Sequence, residues 1–169
     1  MSSVRGWENW LNEYQSLVEK ATGGEDSIPP HDSNRLCYLR NLLEAGLGTK
    51  TTLSEDNQRL ELRIPLDIPV TIRVNDKEWQ GRTVNVSIWG MFVSLAGAPA
   101  SGSKGQVVII ASGSELCLSC EILWVRSQPQ GPLPPGAGLR ITSPERNQHN
   151  TYREFCQKTL REAILKKVS

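Results

Sequence analysis

The spacing of apolar residues changes period twice along this chain, and that change limits the folds open to it. In GWENWLNEYQSLVEKATGG, Trp7, Trp10, Leu11, Tyr14, Leu17 and Val18 recur at the i, i+3, i+4, i+7 interval of an amphipathic helix, which Gly23 and Gly24 end. Leu36, Leu39, Leu43 and Leu47 give a second helix over about 33–47. Asp32 or Ser33 can cap its start, and Gly46 or Gly48 can end it. From Leu62 the period becomes two. Short strands are predicted at about 66–74, 79–87, 90–95, 105–111, 116–126 and 137–142. They are separated by Asn75-Asp76, AGAPASGSKG, Ser112-Gly113-Ser114 and QPQGPLPPGAG. After Ser143 the 3.6 period returns. Ser143-Pro144-Glu145 starts a helix whose stripe is Tyr152, Phe155, Cys156, Thr159, Ala163 and Ile164, running to Lys166-Lys167.

Six short strands with such punctuation predict a small antiparallel barrel, since closing the sheet removes exposed edges. The expected fold is α+β: a six-stranded antiparallel β-barrel over 51–143, an N-terminal helical pair over 1–50 and a C-terminal helix over 144–169. Residues 49–58 read as a polar linker. Two short amphipathic helices cannot bury their own stripes, so they must pack on the rest of the chain or on a second copy.

Composition narrows the function. The chain is 38% hydrophobic with five Trp, enough for a real core. No apolar run approaches the roughly 20 residues that span a bilayer. MSSVRGWENW lacks the apolar stretch of a signal peptide. A cytoplasmic protein without membrane insertion is expected. A net charge of +1 gives no polyanion-binding signal, so DNA is not an expected partner. Residues 1–56 hold five basic and nine acidic residues, a net of −4, whereas 144–169 hold six and three, a net of +3. These ends either attract one another or are two independently solvated surfaces.

Cys117 and Cys120 have CxxC spacing, but they fall on a predicted strand, where positions three apart face opposite sides. That is poor geometry for one metal, and no metal site is expected. No catalytic motif is present, and His31 and His149 have no evident partner, so no enzyme is expected.

Two stretches remain that suit a ligand. Arg59-Leu-Glu-Leu-Arg63 places two guanidinium forks where the linker enters the barrel. Such forks bind phosphate bidentately and stack on purines. Alone, RxxxR is usually two solvated side chains. In TVNVSIWGMFV, Asn85 offers an amide that both donates and accepts, Ser87 a small hydroxyl, and Gly90 a backbone free to adopt φ > 0. Alone, this reads as an ordinary hairpin turn.

In order, RxxxR, RIPLDIPV and NxSxxG resemble the PilZ domain family of bacterial cyclic di-GMP receptors, as do ILWVR at 122–126 and GAGLRI at 136–141. The resemblance covers about 57–143 plus a following helix. It implies a six-stranded barrel that binds cyclic di-GMP on its outside, with Arg59 and Arg63 on phosphates and guanine edges. It also implies Asn85 and Ser87 on guanine and nearby phosphate, and Gly90 shaping the turn. Gln58 stands where relatives often carry another arginine, which predicts one bound dinucleotide rather than a stacked pair. Trp89 either covers a guanine or packs on the barrel. Trp79 and Trp124 are expected in the core.

The resemblance further implies no cofactor, and a switch that signals through an unidentified protein of a motility, polysaccharide or developmental system, with a possible homodimer through the helices. One rival is a PilZ-like adaptor that no longer binds ligand. Another is a barrel for single-stranded nucleic acid, against which the modest +2 charge of residues 57–143 weighs.

Overall fold

A computed structural model describes residues 4–20, 28–47, 62–111, 113–142 and 146–168. Arg59, the whole 49–58 linker with Gln58, Gly23, Gly24, Gly48 and the expected Ser143 cap lie outside these residues. The chain divides into two compact units, 1–64 with 157–169, and 65–156.

The first unit contains α1 (Val4–Lys20), α2 (Pro30–Leu47) and the second half of α3 (Arg146–Val168). Helix α1 buries Leu11, Tyr14, Leu17 and Val18, and α2 buries Leu36, Leu39, Leu43 and Leu47, the stripes expected from their spacing. Helix α2 starts three residues earlier than expected, because Pro30 suits a first helical turn with no N–H to place. Trp7 and Trp10 meet edge-to-face at 4.9 Å. Gly46 admits α1: a Cβ there would lie 2.7 Å from the Trp7 ring. Arg35 grips Glu13 through two parallel bonds that join α1 to α2. The Arg161 Nη2 donates to Asn12 Oδ1 at 2.7 Å. Leu160 and Ile164 are buried on α3.

The second unit is the expected barrel. Strands β2 (Pro69–Val74), β3 (Lys77–Ser87), β4 (Gly90–Ser94), β5 (Lys104–Ala111), β6 (Ser114–Arg126) and β7 (Gly136–Ile141) pair antiparallel in the order β3-β2-β5-β6-β7-β4, and β4 pairs back onto β3. A two-residue strand not foreseen, β1 (Ile64–Pro65), lies beside β3. Asn75 turns the β2–β3 hairpin at φ 54°, a conformation its short polar side chain tolerates. Val70, Ile72, Val86, Met91, Val93, Val107, Ile109, Leu118, Ile122, Ala137, Leu139 and Ile141 fill the interior.

Two bulges interrupt the pleat. In β3 the register with β4 runs Thr83↔Val93 and then Asn85↔Phe92, leaving Val84 extra. In β6 the register with β7 runs Ile122↔Leu139 and then Trp124↔Gly138, leaving Leu123 extra. Each bulge reverses which side the following residues face. Among the described residues, no helix is long and apolar enough to cross a membrane, and no cluster of His, Cys, Asp or Glu is arranged to hold a metal ion.

Candidate functional site

Strict alternation along β3 would point Arg82 outward, Thr83 inward, Val84 outward and Asn85 into the barrel. The bulge at Val84 turns Asn85 to the outside instead and brings Val86, which alternation would send outward, into the core. Thr83 holds the bulge: its buried hydroxyl accepts from the Ile68 N–H at 3.0 Å and donates to the Leu66 carbonyl. Leu66 N–H in turn donates to the Val84 carbonyl at 3.3 Å.

Asn85, Ser87 and Gly90 therefore share the outer face of the β3–β4 hairpin. Gly90 serves a purpose other than the expected one. It does not take a positive φ. It is required because a Cβ there would collide with the Leu139 carbonyl oxygen on β7. Ser87 is only 2% exposed. Its Oγ accepts from the Gly90 N–H at 3.2 Å and lies 3.3 Å from the Gly90 carbonyl, so the hydroxyl is engaged within its own turn.

The turn is held from below by a cluster that the sequence did not reveal. On α3, Tyr152 is completely buried; its hydroxyl donates to the Ser87 carbonyl at 2.8 Å and lies 3.2 Å from the Gly90 carbonyl. His149 Nε2 lies 3.3 Å from the Ile88 carbonyl, and the Cys156 thiol donates to the Ser87 carbonyl at 3.7 Å. Burial pushes the Cys156 thiol up to about 12, so it stays protonated and able to donate. Residues 149, 152 and 156 follow helical spacing on one face. That spacing was readable, but not what the face would meet. On β7, the Ile141 N–H donates to the Trp89 carbonyl at 2.8 Å. Every carbonyl from Ser87 to Gly90 thus has a contact, while the Trp89 side chain is half-buried.

The outer face continues sideways. Asn85 pairs with Phe92, Phe92 with Gly138, and Gly138 with Trp124, one row across four strands. Trp124, expected in the core, is 37% exposed, because the Leu123 bulge turns it outward. Its indole crosses Gly138, where a Cβ would collide with the ring, and lies 5.1 Å from the Phe92 ring. The Arg126 guanidinium covers both rings at 5.1 and 5.3 Å. Trp79, also expected in the core, is half-buried on the inner face of β3. Cys117 and Cys120 take opposite faces of β6, the first half-buried and the second buried. Arg63 is half-buried between two buried residues, Leu62 and Ile64, in the first unit.

The model of the PilZ domain matches residues 57–158, a span that runs from before Arg59 to beyond Tyr152. The chain belongs to the PilZ domain family. No curated protein matches the chain. Among solved structures, YcgR of Escherichia coli in complex with c-di-GMP superposes with a TM-score of 0.52 at 15% identity, over 62% of this chain and 47% of that one. The isolated PilZ domain of YcgR with c-di-GMP gives 0.50 at 16% identity, over 62% of this chain and 93% of that one. The Bacillus subtilis inhibitor of motility MotI/DgrA gives 0.51 at 15% identity, over 62% and 50%. At these identities the likeness is one of fold. The chain spans about half the length of MotI/DgrA and of YcgR.

Proposed function

We propose that this protein is a cyclic di-GMP receptor that changes conformation on binding and signals through protein–protein contacts. Arg59 and Arg63 supply guanidinium forks to the phosphates and guanine edges, Asn85 addresses a guanine, and Ser87 offers its hydroxyl to phosphate. The observation that carries the reading is the Val84 bulge, which places the Asn85 amide outside the barrel beside a turn whose carbonyls are already bonded. Family membership and the c-di-GMP complexes of YcgR support it. With Gln58 before the motif, one dinucleotide binds per chain. The output is a protein contact, and the likeness to an inhibitor of motility makes a motility system the first to try.

Isothermal titration with cyclic di-GMP tests this. Arg63→Ala should lose at least about 2 kcal/mol of binding, the scale for a hydrogen bond to a charged group, and Asn85→Ala about 1 kcal/mol, the scale for a neutral one. Unchanged affinity in Arg63→Ala would sink the assignment. The burial of Ser87, with its hydroxyl bonded inside the turn, favours one other reading: an adaptor that has ceased to bind ligand. A thermal midpoint that does not rise with excess cyclic di-GMP would favour the adaptor.

A further inference from the structure

We infer that Arg140 is a further phosphate-binding residue of the dinucleotide site, and that Glu121, which holds it in the free protein, is the counter-ion that a ligand phosphate displaces. The inference rests on reading the β3–β4 hairpin as the cyclic di-GMP site. One row runs across the outside of the barrel: Ser87 pairs with Gly90, Gly90 with Arg140, Arg140 with Glu121, and Glu121 with Lys104. Leu139 and Ile141, the neighbours of Arg140 along β7, are buried in the interior, so alternation sends Arg140 outward. Adjacent strands lie about 4.8 Å apart, which sets the Arg140 backbone about 10 Å from that of Ser87. In the row, Gly90 stands between them. The strands approach closely there: a Cβ on Gly90 would lie 3.5 Å from the Arg140 Cα. With no side chain at 90, nothing in the row bars the guanidinium from swinging over β4 toward the turn.

In the free protein it swings the other way. Arg140 Nη2 donates to Glu121 Oε2 at 3.0 Å. The Arg140 side chain is 56% exposed and that of Glu121 24%. So wet an ion pair contributes little. The bond from a guanidinium fork to a phosphate is charge-assisted and two-pronged, and therefore stronger. A phosphate at the turn can take Arg140 from Glu121, whose carboxylate keeps Lys104 as its neighbour across β5. Two other arginines of the barrel are committed elsewhere. Arg126 lies over the Phe92 and Trp124 rings and donates to the Pro134 carbonyl at 3.4 Å, and Arg82 donates to both the carboxylate and the carbonyl of Asp67. Glu121 thus lowers the affinity of the site, and so raises the messenger concentration at which the receptor responds.

The test is titration of the full chain with cyclic di-GMP, comparing the wild type with Arg140→Gln, Lys104→Gln, Glu121→Gln and the Arg140→Gln/Glu121→Gln double variant. Arg140→Gln should weaken binding more than about tenfold, the scale of a hydrogen bond to a charged group. Lys104→Gln removes the same charge from the far end of the row, beyond Glu121, and should weaken binding less than about twofold, because an exposed charge at that distance is screened. Glu121→Gln releases the guanidinium and should tighten binding about two- to fivefold, the worth of an exposed ion pair. In the Arg140→Gln background the same change should add almost nothing. An Arg140→Gln variant that binds like wild type, or loses no more than Lys104→Gln, overturns the inference. So does a Glu121→Gln gain of equal size with and without Arg140, which would mark simple repulsion of the ligand. These outcomes leave the hairpin reading intact. A wild type that does not bind cyclic di-GMP removes that reading and the inference with it.

Discussion

The indole of Trp124 lies across Gly138 on the neighbouring strand, in the space that any side chain at 138 would fill. Gly138→Ala should therefore displace the ring, at a cost of about 1–3 kcal/mol typical of overpacking. Urea unfolding measures the loss. Trp124→Ala placed on top of Gly138→Ala should recover part of it, since the clash is then gone. A Gly138→Ala chain as stable as wild type would mean that the indole is free to move aside.

Thr83 fixes the β3 bulge through a buried hydroxyl that both accepts and donates. Thr83→Val keeps the shape and removes both bonds, leaving the Ile68 N–H and the Leu66 carbonyl without that partner. A loss of about 1–3 kcal/mol is expected. Thr83→Ser, which keeps the hydroxyl, should recover most of it. Cyclic di-GMP affinity should fall with Thr83→Val, because Asn85 depends on the bulge for its outward position.

Burial raises two thiols above their ordinary 9.0, Cys120 to about 11 and Cys156 to about 12. The unfolded chain loses these protons near pH 9 while the folded chain retains them. Above pH 9 the unfolded state thus binds fewer protons, and stability declines as pH rises toward about 11–12. Below pH 9 the contribution is pH-independent. Thermal midpoints at pH 8 and pH 10 should fall less steeply in Cys156→Ala than in wild type. Parallel slopes would contradict the assignment.

The Arg35–Glu13 pair holds the Glu13 carboxyl below its usual range, chiefly through the guanidinium hydrogen bond. Its stabilisation is present above the ordinary value of 4.5 and is lost as pH falls through the lowered one. Both side chains are more than a third exposed, so Glu13→Gln should cost only about 0.2–1 kcal/mol at pH 7, shrinking with salt. A loss of several kcal/mol would point to a buried pair shielded from solvent and salt instead.

Much of this architecture is legible in the residues themselves. The stripe from Leu11 to Val18, the Leu36–Leu47 face and the Asn75-Asp76 turn each follow from local spacing and turn chemistry. What escapes is set by partners far along the chain. A bulge is a mismatch between two strands, so neither Val84 nor Leu123 announces it, and plain alternation sends Asn85 and Trp124 to the wrong side. Gly90 reads as a turn glycine until β7 is laid against it. Tyr152 reads as one more core aromatic until Ser87 and Gly90 are found above it. The hairpin motif was legible as chemistry, whereas its support from α3 was not.

The two bulges meet in one row of the barrel, and this makes chain length there a different kind of constraint from residue identity. Apart from Thr83, whose hydroxyl holds one bulge, exchanging one side chain for another near Val84 or Leu123 leaves the pattern of inside and outside intact. Deleting a single residue at either point inverts it for everything downstream in that strand. Around this belt the barrel should tolerate drift in spelling far better than any insertion or deletion.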